Sequence, residues 1–250
     1  MFPLKGIELK INKAILNNHN MKKIGLIGGM SWESTLIYYK IINEKIQESL
    51  GGYHSSKCVV ESVNFAEIEK LQHTNDWNSL NKIMADSAKN LENAKAEVIV
   101  LCTNTMHLSS DAITKSVKIP FLHIAVATGK KIKDSKIKKV LLLGTKFTME
   151  EDFFKSIIYN DFGIEVIIPN EDDRKTIHNV IYNELVQGKI NPSSKEKFQN
   201  IINNSVKNGA EGVILGCTEI PLLIKNTDVN IPTFDTTRIH AESAVEFALK

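Results

Sequence analysis

Cysteine is scarce in this chain. Its 250 residues include three, Cys58, Cys102 and Cys217, an odd number with no Cys-x-x-Cys spacing. That excludes a disulfide framework and a cysteine-based zinc site, and it points to a reducing compartment, the cytoplasm by default. The seven histidines form no His-Glu-x-x-His pair, so no metal is called for. An excess of either charge is missing as well. The 31 Lys plus Arg against 29 Asp plus Glu leave a formal net charge of +2, which gives neither nucleic acid nor an anionic membrane a reason to bind. No run approaches the about 18 apolar residues of a membrane span, and a soluble protein is expected. Nucleotide-binding loops are also absent: Gly25-x-x-Gly28-Gly29 is not GxGxxG, and no Gly-Lys-Ser/Thr occurs.

What remains is an ordinary globular composition, 42% hydrophobic, enough for one large domain or two small ones. Short apolar runs (IGLIGG at 24–29, CVVESV at 58–63, EVIVLC at 97–102, VLLLG at 140–144, IEVIIP at 164–169, GVILGC at 212–217) alternate with amphipathic stretches at 34–50, 77–96 and 195–210. This alternation predicts parallel strands with crossover helices, an α/β fold, and places ligands at the C-terminal ends of the strands. The first twenty residues carry Lys5, Lys10 and Lys13, make a poor signal peptide, and read as a loosely attached extension before a folded start at Met21.

The chain also repeats itself weakly. KKIGLIGGM (22–30) aligns with KKVLLLGTK (138–146), so that Gly28 falls on Gly144. AEVIVLCTN (96–104) aligns without a gap with AEGVILGCT (210–218), which puts Cys217 on Thr103 and Gly216 on Cys102. Each second motif is followed by Ile-Pro, where a further strand is expected. Two pseudo-symmetric halves result, 21–122 completed by a C-terminal helix from about 234 to 250, and 123–233. Successive strand residues point to opposite sides, so one of Cys102 and Thr103 faces the cleft between the halves. The repeat selects Thr103, opposite Cys217. A competing reading turns Cys102 inward instead, at the cost of a one-residue slip that flips its neighbours.

Two groups on opposite sides of a small cleft can move a proton off one face of a carbon and onto the other. A free thiol titrates near about 8.5 and drops beside backbone N–H groups at a helix start, the kind of turn in which Cys217 lies. Thr and Asn side chains with exposed amides can hold a carboxylate. A small carboxylic acid is the expected substrate. Met30 and Thr145 lie at equivalent strand ends and are candidates to line the pocket, Met30 alternatively being core. Thr218 is either a substrate contact or a helix cap. His107 is open between a structural hydrogen bond and tuning of the site, while His123 and His240 read as packed or capping residues. Cys58 and Cys102 read as core. Tyr38 and Tyr39, with their helical stripe, belong to core or to a dimer face.

The motifs IGLIGGMSWEST, VLCTNTMH, LLLGTKFTM, GVILGCTEI and FDTTRIHAESAV resemble the aspartate/glutamate racemase family, which works without pyridoxal phosphate, over nearly all of residues 22–249. The resemblance implies two α/β domains with the active site between them, no cofactor, and a homodimer. The usual first motif, C-N-T-x-H, covers Thr103-Asn104-Thr105-Met106-His107, so its cysteine is replaced by Thr103. The second, G-C-T, covers Gly216-Cys217-Thr218. By resemblance Cys217 removes the α-proton of L-amino acids, Thr103 returns one from the opposite face directly or through a water, and Asn104, Thr105 and Thr218 hold the α-carboxylate. A hydroxyl is a far weaker acid than a thiol, so lopsided chemistry is expected. Where aspartate racemases carry an arginine for the side-chain carboxylate, the alignment gives Gln72, and a lysine of those enzymes falls on Val186. Both losses leave room for polar neutral substrates such as homoserine beside aspartate and glutamate. Rival readings are a hydantoin racemase, a maleate isomerase, an arylmalonate-type decarboxylase, or an amino-acid-binding protein with a decayed site.

Overall fold

The computed structural model describes residues 21–250; the expected extension, residues 1–20, lies outside them. The first half runs β1 (Ile24–Gly28), α1 (Trp32–Leu50), β2 (Cys58–Ser62), α2 (Phe65–His73), α3 (Trp77–Asn93), β3 (Val98–Leu101), α4 (Ser110–Ser116) and β4 (Phe121–Leu122). The second runs α5 (Ile124–Asp134), β5 (Lys139–Gly144), α6 (Lys146–Glu150), α7 (Asp152–Phe162), β6 (Glu165–Ile167), α8 (Glu171–Asn183), α9 (Pro192–Lys207), β7 (Gly212–Gly216), α10 (Ile220–Leu223) and β8 (Thr233–Asp235). A final helix, α11, spans Thr236–Ala248.

The strands form two all-parallel sheets of one plan, β2-β1-β3-β4 and β6-β5-β7-β8. Each sheet is covered on both faces, which is why its central strands are apolar throughout rather than alternating. In β3, Val98 and Val100 pack with Tyr38, Ile42 and Ala244 from α1 and α11, while Ile99 and Leu101 pack with Leu80, Met84 and Leu91 from α3. In β7, Val213 and Leu215 face Ile177 and Ile181 of α8 and Phe198 of α9. Ile214 faces Ile124 and Phe154 on the other side. The fold is therefore α/β with two pseudo-symmetric parallel-sheet layers.

The strands expected after the two Ile-Pro pairs are present as β4 and β8. One boundary differs: the terminal helix expected from about 234 starts at Thr236, because Phe234 and Asp235 pair with Ile214 and Leu215 of β7 and so belong to the second sheet. Asp235 then caps α11 by accepting from the Thr237 and Arg238 N–H groups. At the end of β1 the chain turns sharply through Gly29, at φ +91, where a Cβ would stand 2.2 Å from the Val63 carbonyl oxygen. Only glycine fits that turn.

Candidate active site

A cavity of about 400 Å³ opens between the two sheets, beyond the C-terminal ends of β1, β3, β5 and β7. Thr103, two residues past β3, and Cys217, immediately past β7, both line it. Cys102 does not: it is fully buried on the Val98–Val100 face, and burial pushes its thiol far up. The two-residue period of the strand thus separates the neighbours, one to the core and one to the cavity.

Cys217 is held by a residue for which the sequence reading had no role. Its thiol donates to Glu219 Oε2 at 2.8 Å, and the Thr218 hydroxyl donates to the same oxygen at 2.7 Å. Because the Thr218 proton is committed there, the 2.6 Å contact between Ser34 Oγ and Thr218 Oγ1 must be donated by Ser34. The expectation of a lowered thiol pKa needs correction. Burial and the Glu219 carboxylate raise it well above the ordinary value, and the Glu219 and Thr218 N–H groups pull it down only in part. At rest Cys217 is a thiol poised against a carboxylate. The motif GCTE held the signal, but nothing in a sequence says that the glutamate side chain folds back onto the cysteine two residues before it.

The other expected residues also line the cavity: Met30, Gln72, Asn104, Thr105, Thr145 and Thr218. Met30 is only 5% exposed, so it serves core and wall together. Gln72 lies one turn after Glu69 on α2, both toward the cavity, and its Nε2 sits 3.2 Å from the Met106 sulfur. The Thr105 and Thr145 hydroxyls meet at 3.3 Å, joining the two halves. Asn104 Nδ2 donates to Thr236 Oγ1 at 3.1 Å, and Thr236 in turn donates to the Leu215 carbonyl at 3.0 Å. That fixes the orientation of the amide and leaves Asn104 Oδ1 buried without a partner. Asn104 thus lines the cavity with its amide oxygen buried and unpaired and its amide nitrogen tied to α11.

The charges on the wall are Glu69 and Glu219; among the described residues no lysine, arginine or histidine lines the cavity. Val186 and Tyr182 complete that side, and burial together with Cys217, Glu69 and Glu219 raises the Tyr182 phenol pKa. Ser34, Thr236 and Tyr182 are not legible in the sequence because helices far away in the chain bring them in, whereas Glu69 lies on the same helix as the expected Gln72. Among the described residues no group of three or more His, Cys, Asp or Glu is placed to hold a metal ion, and no helix is long and apolar enough to cross a membrane.

The sequence profile of the Asp/Glu/hydantoin racemases matches residues 27–244. Among solved structures, a Yersinia pestis protein provisionally assigned as an Asp/Glu racemase superposes with a TM-score of 0.88 at 46% identity, over 92% of this chain and 100% of that one. An aspartate racemase homologue from Pyrococcus horikoshii OT3 gives 0.82 at 39%, over 92% and 100%. The broad specificity amino-acid racemase RacX of Bacillus subtilis is 25% identical over 68% of this chain and 73% of its own length. The doubled sheet plan, the cleft at the strand ends and these matches agree: the chain belongs to the Asp/Glu/hydantoin racemase family and is an enzyme.

Proposed function

We propose that the protein is a cofactor-independent amino-acid racemase that inverts the α-carbon of aspartate, glutamate or a polar neutral amino acid such as homoserine. The observation that carries this reading is one cavity lined by Thr103 from one half and Cys217 from the other, with Glu219 bonded to the thiol. In the L-to-D direction Glu219 takes the Cys217 proton and the thiolate removes the α-proton. The carbanion, spread into its carboxylate, then takes a proton on the opposite face from Thr103 or a water held by it; Cys217 keeps the α-proton as its thiol hydrogen, and Glu219 releases the proton it took to solvent while solvent replaces the one that Thr103 gave. Enantiomers have equal free energy, so Thr103 cannot drive net racemisation one way. The asymmetry lies in the partition between α-proton exchange with retention, which needs Cys217 alone, and inversion, which needs both faces.

A wall with two glutamates and, among the described residues, no lining cation favours a neutral side chain over a second carboxylate, since like charges at close range are costly. Proton NMR in D2O with both enantiomers of homoserine, aspartate and glutamate tests this. Homoserine is expected to exchange and invert with a kcat/KM roughly tenfold or more above the two acids. Faster turnover of aspartate or glutamate would overturn the preference. Binding without exchange on any of them would overturn the racemase reading itself.

A cytoplasmic homodimer completes the proposal, supported by the free thiols and by α1. Tyr38 is fully buried, whereas Trp32, Leu36 and Tyr39, one helical face at i, i+4 and i+7, are 65%, 56% and 47% exposed. Light scattering should find twice the 28.0 kDa chain mass, falling to one chain in the Trp32→Glu/Leu36→Glu variant. A wild-type monomer would refute the dimer.

A further inference from the structure

Three histidines outside the cavity lining meet where the chain crosses from the first sheet to the second. His107 has its ring centroid 4.7 Å from that of His123 and 5.6 Å from that of His240. The hydrogen bonds fix each proton. The Thr103 carbonyl can only accept, so the 2.8 Å contact to His107 is donated by Nδ1–H. The Ile124 N–H can only donate, so Nε2, at 3.2 Å, is bare. His240 donates Nε2–H to the Leu122 carbonyl at 2.8 Å and accepts the Tyr38 hydroxyl on Nδ1 at 2.9 Å. The crossover residues 122–124 are therefore gripped from both sides by neutral imidazoles, and one of these also holds the backbone of the residue that faces Cys217.

We infer that His107 is the positioning residue of the Thr103 face: its imidazole ties the Thr103 carbonyl to the crossover backbone and so sets where the proton donor stands relative to Cys217. This rests on the racemase reading above. Burial and the two neighbouring histidines keep the imidazole neutral, as both bonds require. Thr103 itself lies in a turn with no side-chain cap on the helical segment that follows it, Thr105–Ser109, so this bond is a fixed point for its placement. A displacement of the donor acts on inversion; it leaves the Cys217 side, built on β7, in place.

The test separates the two bonds of the ring. Asparagine puts an amide N–H near the Nδ1 position and keeps the Thr103 bond; glutamine puts an amide oxygen near Nε2 and keeps only the Ile124 bond. In D2O, with a substrate that the wild type inverts, His107→Gln is expected to lower the ratio of inversion to exchange roughly tenfold or more. His107→Asn, which keeps the Thr103 bond but loses the anchor at Ile124, should give a ratio between those of His107→Gln and the wild type, and a ratio no better than that of His107→Gln would overturn the role of the Thr103 bond. An unchanged ratio in His107→Gln, with both rates falling together, would overturn the inference. Nitrogen NMR of the wild-type imidazole near neutral pH reads the tautomer independently of any variant's folding: an Nε2–H tautomer or an imidazolium would overturn it equally. A wild type that exchanges no substrate would instead remove the racemase reading on which it rests.

Discussion

Cys217→Ser is expected to lower α-proton exchange on L-substrates by about three orders of magnitude or more, whereas Cys102→Ser stays within about threefold of wild type. The argument is one of acidity and direction. A serine hydroxyl in the Cys217 position still reaches Glu219, but a carboxylate cannot deprotonate an alcohol as it can a thiol, so the base is lost although the hydrogen bond survives. Cys102 lies on the opposite side of the chain among Val98, Val100 and Tyr38. A hydroxyl buried there costs about 1–3 kcal/mol of stability but touches no reacting atom. Exchange that persists in Cys217→Ser, or that disappears in folded Cys102→Ser, would sink the assignment of the base. Thr103→Ala belongs to the same measurement. Inversion should fall by roughly two orders of magnitude while exchange with retention continues, because general acid catalysis on the far face is lost and the near face is intact.

How much of this could be read from the chain depends on distance along it. The side-chain alternation of β3 is local, and with the repeat it was enough to direct Thr103 to the cleft and Cys102 to the core. The sheet plan was legible for the same reason, since buried parallel strands write themselves as apolar runs. Three kinds of feature were not legible. Glu219 acts through a rotamer that folds it back on Cys217, and a sequence carries no torsion angles. Ser34 and Thr236 reach the site from α1 and α11, 184 residues from Thr218 and 132 from Asn104, so only the packed fold brings them in. The exact start of α11, expected at about 234 and found at Thr236, depends on the pairing of Phe234 and Asp235 with β7, a tertiary contact that no local pattern carries.

The second large effect concerns stability rather than rate. The melting temperature is expected to fall by about 10 °C between about pH 7 and about pH 5. His240 and His123 are both held neutral, their pKa lowered by burial to about 4 in the fold, against about 6.5 in the unfolded chain. A histidine whose folded pKa is depressed binds more protons when unfolded, so its contribution is complete above the unfolded pKa and is lost as pH falls toward the folded one. Down to about pH 5 that loss is about 2 kcal/mol for each of the two. His107, lowered by burial and by both neighbours, adds in the same direction. The cause is structural as well as dielectric: protonating His107 would set an N–H against the Ile124 N–H, which can only donate. Asp235, whose carboxyl is raised by burial, works the other way, gaining stability from its proton as the pH falls through its folded pKa. Calorimetry across this range, with the histidine ring signals followed in parallel, checks the claim. A melting temperature constant to within about 3 °C would mean that the crossover clamp accepts protons without strain and that these imidazoles are not held neutral by the fold.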